Sequence, residues 1–446
     1  ISLFLKIMNN NKKAKVTFVI PSWHYYADPL KHQPYWEMYY ATYVRNAGYD
    51  VDIFDMRSNE NVDIFQRMAK INESDFYFFW IFKTGDAKEI YSISDFLKKK
   101  YPNSHTAAGG THVDMCQDEC ARYFDSILFG PGEKNFVNII EDTISGKCKK
   151  NYIENYKNIP FKDTVYPDRS FLNKEKIVNN KLFDQYGEYN GTLVYFSRGC
   201  IFKCAYCTYN VPRLLQTKST DLIKDEIRYL KKNYNINSLL LKDEVAISPN
   251  KKISQEILTT IGNENIVWRG QTISIASYDQ LKLAKESGCL ELAVGVETVD
   301  NDVMKVIDKT WQNEKIIKDF IENCKKLDLK VKICLILGLP GEPKNIVEKT
   351  IKFLEETEPE FVSVSGFLPV PGSPIAKNPE KYGISKIEND WSKYGHLLFR
   401  FSDDEEVGLP FEYSEDGPLG KGLSQNEIKQ NLTSLQGWLK ERKMTY

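Results

Sequence analysis

Residues 195–210 read YFSRGCIFKCAYCTYN, and they hold three of the chain's nine cysteines, Cys200, Cys204 and Cys207. The intervals are three and then two intervening residues. Burial as small hydrophobes suits Cys289, Cys324 and Cys334, which lie singly within apolar strand or helix patterns. It fits the trio badly, because these three follow a strand-like run, GTLVYFS (191–197), in a loop containing glycine and lysine. A closed zinc site needs four ligands, and neither a second cysteine pair nor a nearby histidine supplies the fourth. Thiolates at short spacing also hold iron–sulfur clusters, where four cysteines normally close a four-iron cluster. Three thiolates leave one iron with an open position, and an open position means chemistry.

The chain around this loop alternates strand-like and helix-like segments. Downstream, GTLVYFS is followed by INSLLLKD (236–243), IVWRGQTIS (266–274), LELAVGVE (290–297), KVKICLILG (330–338) and FVSVSGFLP (361–369), with helical stretches such as DLIKDEIRYLKKNY between them. Six consecutive strand–helix units within residues 191–374 suit a partial barrel, short of the eight-unit kind, or an equally large open sheet. Upstream, residues 1–150 alternate in the same way: KVTFVIPS, YDVDIFD, DFYFFWIF, SHTAAGG and SILFG are the strand candidates. That alternation predicts a doubly wound parallel sheet with ligands at the carboxyl ends of its strands. Residues 151–190 are rich in Asn, Lys and Tyr and read as a linker wrapped on a surface. Residues 375–446 loosen into a polar, Gly-dotted region ending in a helix, SQNEIKQNLTSLQGWLKERK. The expectation is therefore an α/β chain: a Rossmann-like domain, a linker, a six-unit partial (β/α) barrel and a small, mainly helical C-terminal region.

Composition narrows the function. The 446 residues carry sixty basic and sixty-one acidic side chains, so nothing in the charge balance argues for a nucleic-acid or membrane-surface partner. No run approaches the roughly 20 apolar residues of a membrane helix. The N-terminal ISLFLKIMNNNKK lacks a cationic start and a cleavage site. Nine cysteines in a chain this long do not form a secreted disulfide framework, which makes the cytoplasm the expected location.

The cysteine loop, at the end of the first strand of a six-unit barrel, resembles the radical S-adenosylmethionine (SAM) superfamily. The resemblance implies that Cys200, Cys204 and Cys207 hold a [4Fe–4S] cluster, whose open iron chelates the amino and carboxylate groups of SAM. An electron from the cluster then cleaves the sulfonium to a 5′-deoxyadenosyl radical. Tyr206 matches the aromatic residue that commonly precedes the third cysteine. LAVGVETVDNDVMKVIDK (292–309) looks like the family's fourth-strand segment, which makes Glu297 a candidate for the SAM site. The second strand departs from the pattern: where many members have Gly-Gly-Glu, this chain has LKDE, so Asp243 and Glu244 are the candidate acceptors for the SAM ammonium. Arg269 and Gln271 are candidates for its carboxylate or ribose, against the plainer alternative of a strand-end salt bridge.

Residues 334–375 are similar to the subgroup that carries an N-terminal cobalamin-binding domain. HTAAGGTHVD (105–114) followed by DSILFGPGEKNF (125–136) resembles that domain's glycine pattern, and residues 19–57 run parallel to its first strand, long loop and first helix. By that resemblance Thr84, Gly109, Gly110, Thr111, His112, Gly130, Gly132 and Glu133 line a cobalamin site. Backbone at glycine turns can approach a corrin closely. The Asp-x-His-x-x-Gly motif that supplies a lower axial histidine elsewhere is absent. The implied function is a cobalamin-dependent radical SAM methylation of an unactivated carbon in a small molecule, with an electron donor such as flavodoxin or ferredoxin. Two alternatives stand beside it: another radical reaction (cyclisation, rearrangement or epimerisation) without methyl transfer, and a cluster-based redox sensor. The aromatics of the first loop (Trp23, Tyr25, Tyr26, Tyr35, Trp36) are read either as part of a lid over the barrel mouth, with the C-terminal 70 residues, or as packing of the domain interface.

Overall fold

The computed structural model describes residues 13–24, 26, 28–58, 60, 63–207, 213–395 and 408–445. Tyr25, His396 and the apolar N-terminal stretch up to residue 12 lie outside them. The chain divides into two compact units, Ile1–Lys181 and Leu182–Tyr446.

The first unit is built on six parallel strands: β1 (Lys15–Ile20), β2 (Asp50–Asp55), β3 (Phe76–Trp80), β4 (His105–Gly109), β5 (Ser126–Phe129) and β6 (Asn151–Ile153). Their order is β2-β1-β3-β4-β5-β6. In a doubly wound sheet the winding reverses beside β1, so the crevice outside the carboxyl ends of β1 and β3 is where such folds take ligands. β3 is buried along its whole length, as a central strand covered on both faces must be. The sixth strand is absent from the sequence reading, because three residues of the pattern exposed–buried–exposed carry too little periodicity to register. After it the chain wraps around the unit in short 3-10 turns. Arg169, fully buried, is anchored to Gln33 Oε1 at 2.6 Å and lies 5.1 Å over the Tyr35 ring. Tyr35, Trp36 and Phe161 join this packing through Tyr39 and Tyr40. Trp23 packs on Tyr26 and under Arg57. Of the described first-loop aromatics, Tyr35 is buried, and Trp23, Tyr26 and Trp36 are half-buried against residues of the first unit.

The second unit holds β7 (Gly191–Val194), β8 (Ser238–Leu241), β9 (Val267–Thr272), β10 (Cys289–Glu297), β11 (Lys330–Leu337) and β12 (Phe361–Gly366). They pair in sequence order, all parallel, with no pairing between the first and the last, which is the open partial barrel expected. Helices alternate with the strands, and polar residues start them: Ser219 caps Thr220–Tyr234 and Asn250 caps Lys251–Asn263, while Ser277 forms a capping box on Tyr278–Glu286. Along β11 burial alternates strictly, with Val331, Ile333, Leu335 and Leu337 under the helices and Lys332, Cys334 and Ile336 half-buried on the inner face. Cys334 therefore faces the barrel interior, a correction to its reading as a core thiol. Cys289 and Cys324 are buried as expected. The C-terminal region adds an antiparallel strand pair (Ile384–Ile387 with Phe411–Tyr413) to its long helix, Gln425–Glu441. It is less helical than the sequence suggests.

Candidate functional site

The cysteine loop leaves the carboxyl end of β7. Gly199, at φ +88°, turns the backbone into it, a conformation glycine adopts without strain. The apex is pinned on both sides: the Ala205 N–H donates to the Ile307 carbonyl at 2.8 Å, and the Ala205 carbonyl accepts from Ile375 N–H at 3.1 Å. Cys200, Cys204 and Cys207 are all partly accessible. Burial pushes the Cys200 and Cys204 thiols up, and Lys309 pulls Cys204 the other way. No three His, Cys, Asp or Glu side chains among the described residues converge as around one metal ion. A cubane asks for something different, one thiolate for each of three irons. A loop carrying three partly accessible thiols within eight residues, with its backbone clamped at Ala205, fits that demand, and the irons would supply the positive charge that favours thiolates over buried thiols.

The two acids of the LKDE stretch divide their work. Asp243 is buried, and its Oδ1 accepts the N–H groups of Phe196 (3.0 Å) and Ser197, just ahead of the cysteine loop. Burial lifts its pKa to about 6. Glu244 is half-buried and accepts the Gly199 N–H at 3.2 Å through Oε2, one residue from Cys200. Burial raises it to about 8. Asp243 thus buttresses the strand exit, while Glu244 stands where a ligand ammonium could meet it.

Glu297 sits at the carboxyl end of β10, at φ +66°, beside an irregularity in the β10–β11 register. Its Oε1 is 3.0 Å from Lys309 Nζ, which also donates to the Gly295 carbonyl at 2.6 Å and reaches Tyr206 Oη at 3.5 Å. Tyr206 is raised well above the usual phenol range, by burial first and then by the charges of Glu297 and the neighbouring thiols. Lys309 and Trp311, whose ring lies 4.3 Å from that of Phe202 in the cysteine loop, escaped the sequence reading. Neither stands in a pattern that distinguishes it from a surface lysine or a core tryptophan.

On β9 the two candidates separate. Arg269 is paired with Glu291 at 3.2 Å, and Tyr186 Oη donates to the same carboxylate at 2.7 Å. The salt-bridge alternative describes it. Gln271, two residues further along the same strand face, has an exposed side chain and is the one available to a ligand.

In the first unit, Thr84 opens a turn after β3, while Gly109 closes β4 and Gly110 and Thr111 follow it. Gly130 follows β5, and Gly132 begins the helix Gly132–Ile144. All lie at the carboxyl edge of the sheet, and Thr84, Thr111 and Gly130 are partly accessible there. The glycine pair is demanded by the protein itself. A Cβ on Gly109 would stand 2.2 Å from Leu128 Cδ1, and one on Gly110 (φ +109°) 2.7 Å from the Ile81 carbonyl oxygen. His112 is buried with both nitrogens engaged, at 2.8 Å to Tyr91 Oη and 3.3 Å to Thr84 Oγ1. Desolvation depresses its pKa to about 4, so it remains a neutral strut under Thr84. Glu133 is buried too and accepts from Tyr39 Oη at 2.9 Å. What the edge offers is a rim of small side chains and backbone. That suits a broad planar ligand lying flat, without an axial ligand from His112.

Residues 194–354 match the model of the radical SAM superfamily, and residues 29–140 match the B12 binding domain. The chain therefore carries a radical SAM domain. Ahead of that domain in the chain lies a B12-binding domain. These two domains imply a [4Fe–4S] cluster, SAM and cobalamin as cofactors. It is similar to the bacteriochlorophyllide d C-12(1)-methyltransferase of Chlorobaculum tepidum, 23% identical over 72% of this chain and 68% of that one. The C-8(2)-methyltransferase of the same organism is also 23% identical, over 74% of each chain. Among solved structures, the radical SAM methyltransferase TsrM from Kitasatospora setae, with cobalamin and [4Fe–4S] cluster bound, superposes with a TM-score of 0.69 at 14% identity, covering 95% of this chain and 89% of that one. That likeness carries the fold.

Proposed function

We propose that the protein is a cobalamin-dependent radical SAM methyltransferase that methylates an unactivated carbon of a small molecule. The observation that carries this reading is the clamped three-thiol loop in a chain that also has a B12-binding domain. The methyltransferase names of both Chlorobaculum relatives support it. When bound, the cluster and SAM supply radical chemistry and the corrin supplies a methyl donor.

The chain's own part is to bind and orient. Cys200, Cys204 and Cys207 would hold the cluster. Glu244 and Gln271 would receive polar groups of SAM, with Asp243 fixing the strand exit between them. The Lys309–Glu297 pair would hold the β10 terminus and Tyr206 beside the cysteine loop. Thr84, Thr111 and the backbone from Gly109 to Gly130 would receive the corrin. The substrate reaches the site as a small molecule, and a flavodoxin- or ferredoxin-type donor supplies electrons. Among the described residues no helix is long and apolar enough to cross a membrane, and the cytoplasm is the compartment we assign.

The test is to purify the protein without oxygen, supply iron, sulfide and hydroxocobalamin, desalt, and measure iron and corrin per chain. Four irons and near-stoichiometric corrin are expected. Four irons without corrin would overturn methyl transfer and leave another radical reaction. Cys204→Ala should lose the cluster and SAM cleavage, whereas Cys324→Ala, at a helix core position, should keep both.

A further inference from the structure

The amino edge of the first unit's sheet, opposite the rim that carries Thr84 and the glycines, holds a second constellation of reactive groups. His105 is the first residue of β4 and Ser126 the first of β5, and Cys148 lies in the turn that leads into β6. Parallel strands bring these amino ends together although 43 residues separate His105 from Cys148. Cys148 Sγ is 3.4 Å from Ser126 Oγ, 3.8 Å from His105 Nε2 and 3.9 Å from Tyr152 Oη. The Ser126 hydroxyl donates to the Lys149 carbonyl at 2.6 Å, so its oxygen is left to accept, and His105 Nε2 lies 3.0 Å from it. That contact holds the imidazole facing the sulfur. Tyr152 in turn is held by the Lys149 N–H and Asp142 Oδ2, each at 3.1 Å.

Cys148 is also the one exposed cysteine of the nine. Desolvation would raise its thiol, but the contacts to His105, Ser126 and Thr143 outweigh it and bring the pKa down to about 6. Burial pushes Cys116, Cys120 and Cys324 up to about 12 instead. The remaining charged groups around Cys148 largely cancel: Lys149 pairs with Asp142 at 3.8 Å and Lys98 with Asp125 at 3.1 Å, while Lys150 is held on the Phe124 carbonyl.

We propose that Cys148 is a reactive thiol, activated by His105, that exchanges with low-molecular-weight disulfides and carries a reversible mixed disulfide. The thiol proton passes to solvent, the His105 Nε2–H faces the resulting thiolate, and the thiolate attacks one sulfur of the disulfide R–S–S–R. A new S–S bond forms as the old one breaks. Cys148 is oxidised, the departing half is reduced and leaves as RS⁻, and solvent protonates it. Exposure, a neighbouring imidazole and a lowered thiol pKa are what such exchange requires. The site lies on the edge away from the cofactor rim, and nothing in the methyltransferase reading needs it.

The experiment is iodoacetamide alkylation of the folded, cluster-loaded full chain from about pH 5.5 to about 9, read site by site from peptide masses. Cys148 should react with a midpoint below about pH 7, and at about pH 6.5 it should react about fivefold faster than in the denatured chain. In His105→Gln the midpoint should rise to about 8.5. Glutathione disulfide should add one glutathione at Cys148, removed by dithiothreitol, and none at Cys116. A wild-type midpoint near about 8.5, or a Cys148 that labels only after denaturation, overturns the proposal whatever the variant does.

Discussion

Glu244 shows how one position changes when its partners are known. In the sequence it and Asp243 are two adjacent acids with the same possible role. In the fold Asp243 spends an oxygen on two backbone N–H groups, and Glu244 keeps accessible surface next to Cys200. Because burial raises Glu244 to about 8, it is mostly protonated near neutrality in the free protein. A cationic ligand favours its ionised form, so binding should strengthen as pH rises toward that value. In the protein before its cluster is reconstituted, where no iron takes the amino lone pair and the α-amino group is still cationic over about pH 6 to about 7.5, SAM affinity should climb by as much as about tenfold per pH unit. In Glu244→Gln the affinity should be lower and the slope lost; a wild-type affinity flat over that range would remove Glu244 from the site. Equilibrium binding by the anaerobic protein measures both. The same scale separates Arg269, whose guanidinium pairs with Glu291, from Gln271, whose side chain is exposed.

At the scale of elements, the glycine pair after β4 is a packing device before it is a ligand device. Gly109 and Gly110 let β4 end against Leu128 and the Ile81 carbonyl and turn into the helix that carries His112. Gly110→Ala combines a positive φ with a 2.7 Å approach to backbone oxygen, so it should destabilise the first unit by about 1–3 kcal/mol. Denaturant unfolding and corrin retention should both report the loss, while bound iron stays at four per chain. Loss of iron in the same protein would mean that the two units do not fold independently. On the barrel side, the turn after β11 depends on a distant element. Gly338, at φ +87°, packs against Ile428 of the C-terminal helix, and its carbonyl accepts from Tyr413 Oη at 2.7 Å.

For the whole molecule, the division at Lys181/Leu182 separates the B12-binding unit from the barrel unit. The chain from Leu182 to Tyr446 should therefore fold alone, bind four irons after anaerobic reconstitution and bind no corrin. Iron and corrin assays beside circular dichroism check this. An insoluble or iron-free product would show that the barrel needs the first unit to fold. By itself, the sequence determined the presence along the chain and the parallel sense of eleven of the twelve strands in the two large sheets, the trio of cysteines and the glycine edge. These are local signals: a period of two or of 3.6 residues, a spacing, a turn residue. The tertiary structure alone decided the Lys309–Glu297 clamp, the commitment of Arg269 to Glu291, the interior face of Cys334 and the meeting of Cys148 with His105. Each joins residues through strand register or packing, and side-chain neighbours set by packing leave no periodic trace in the chain.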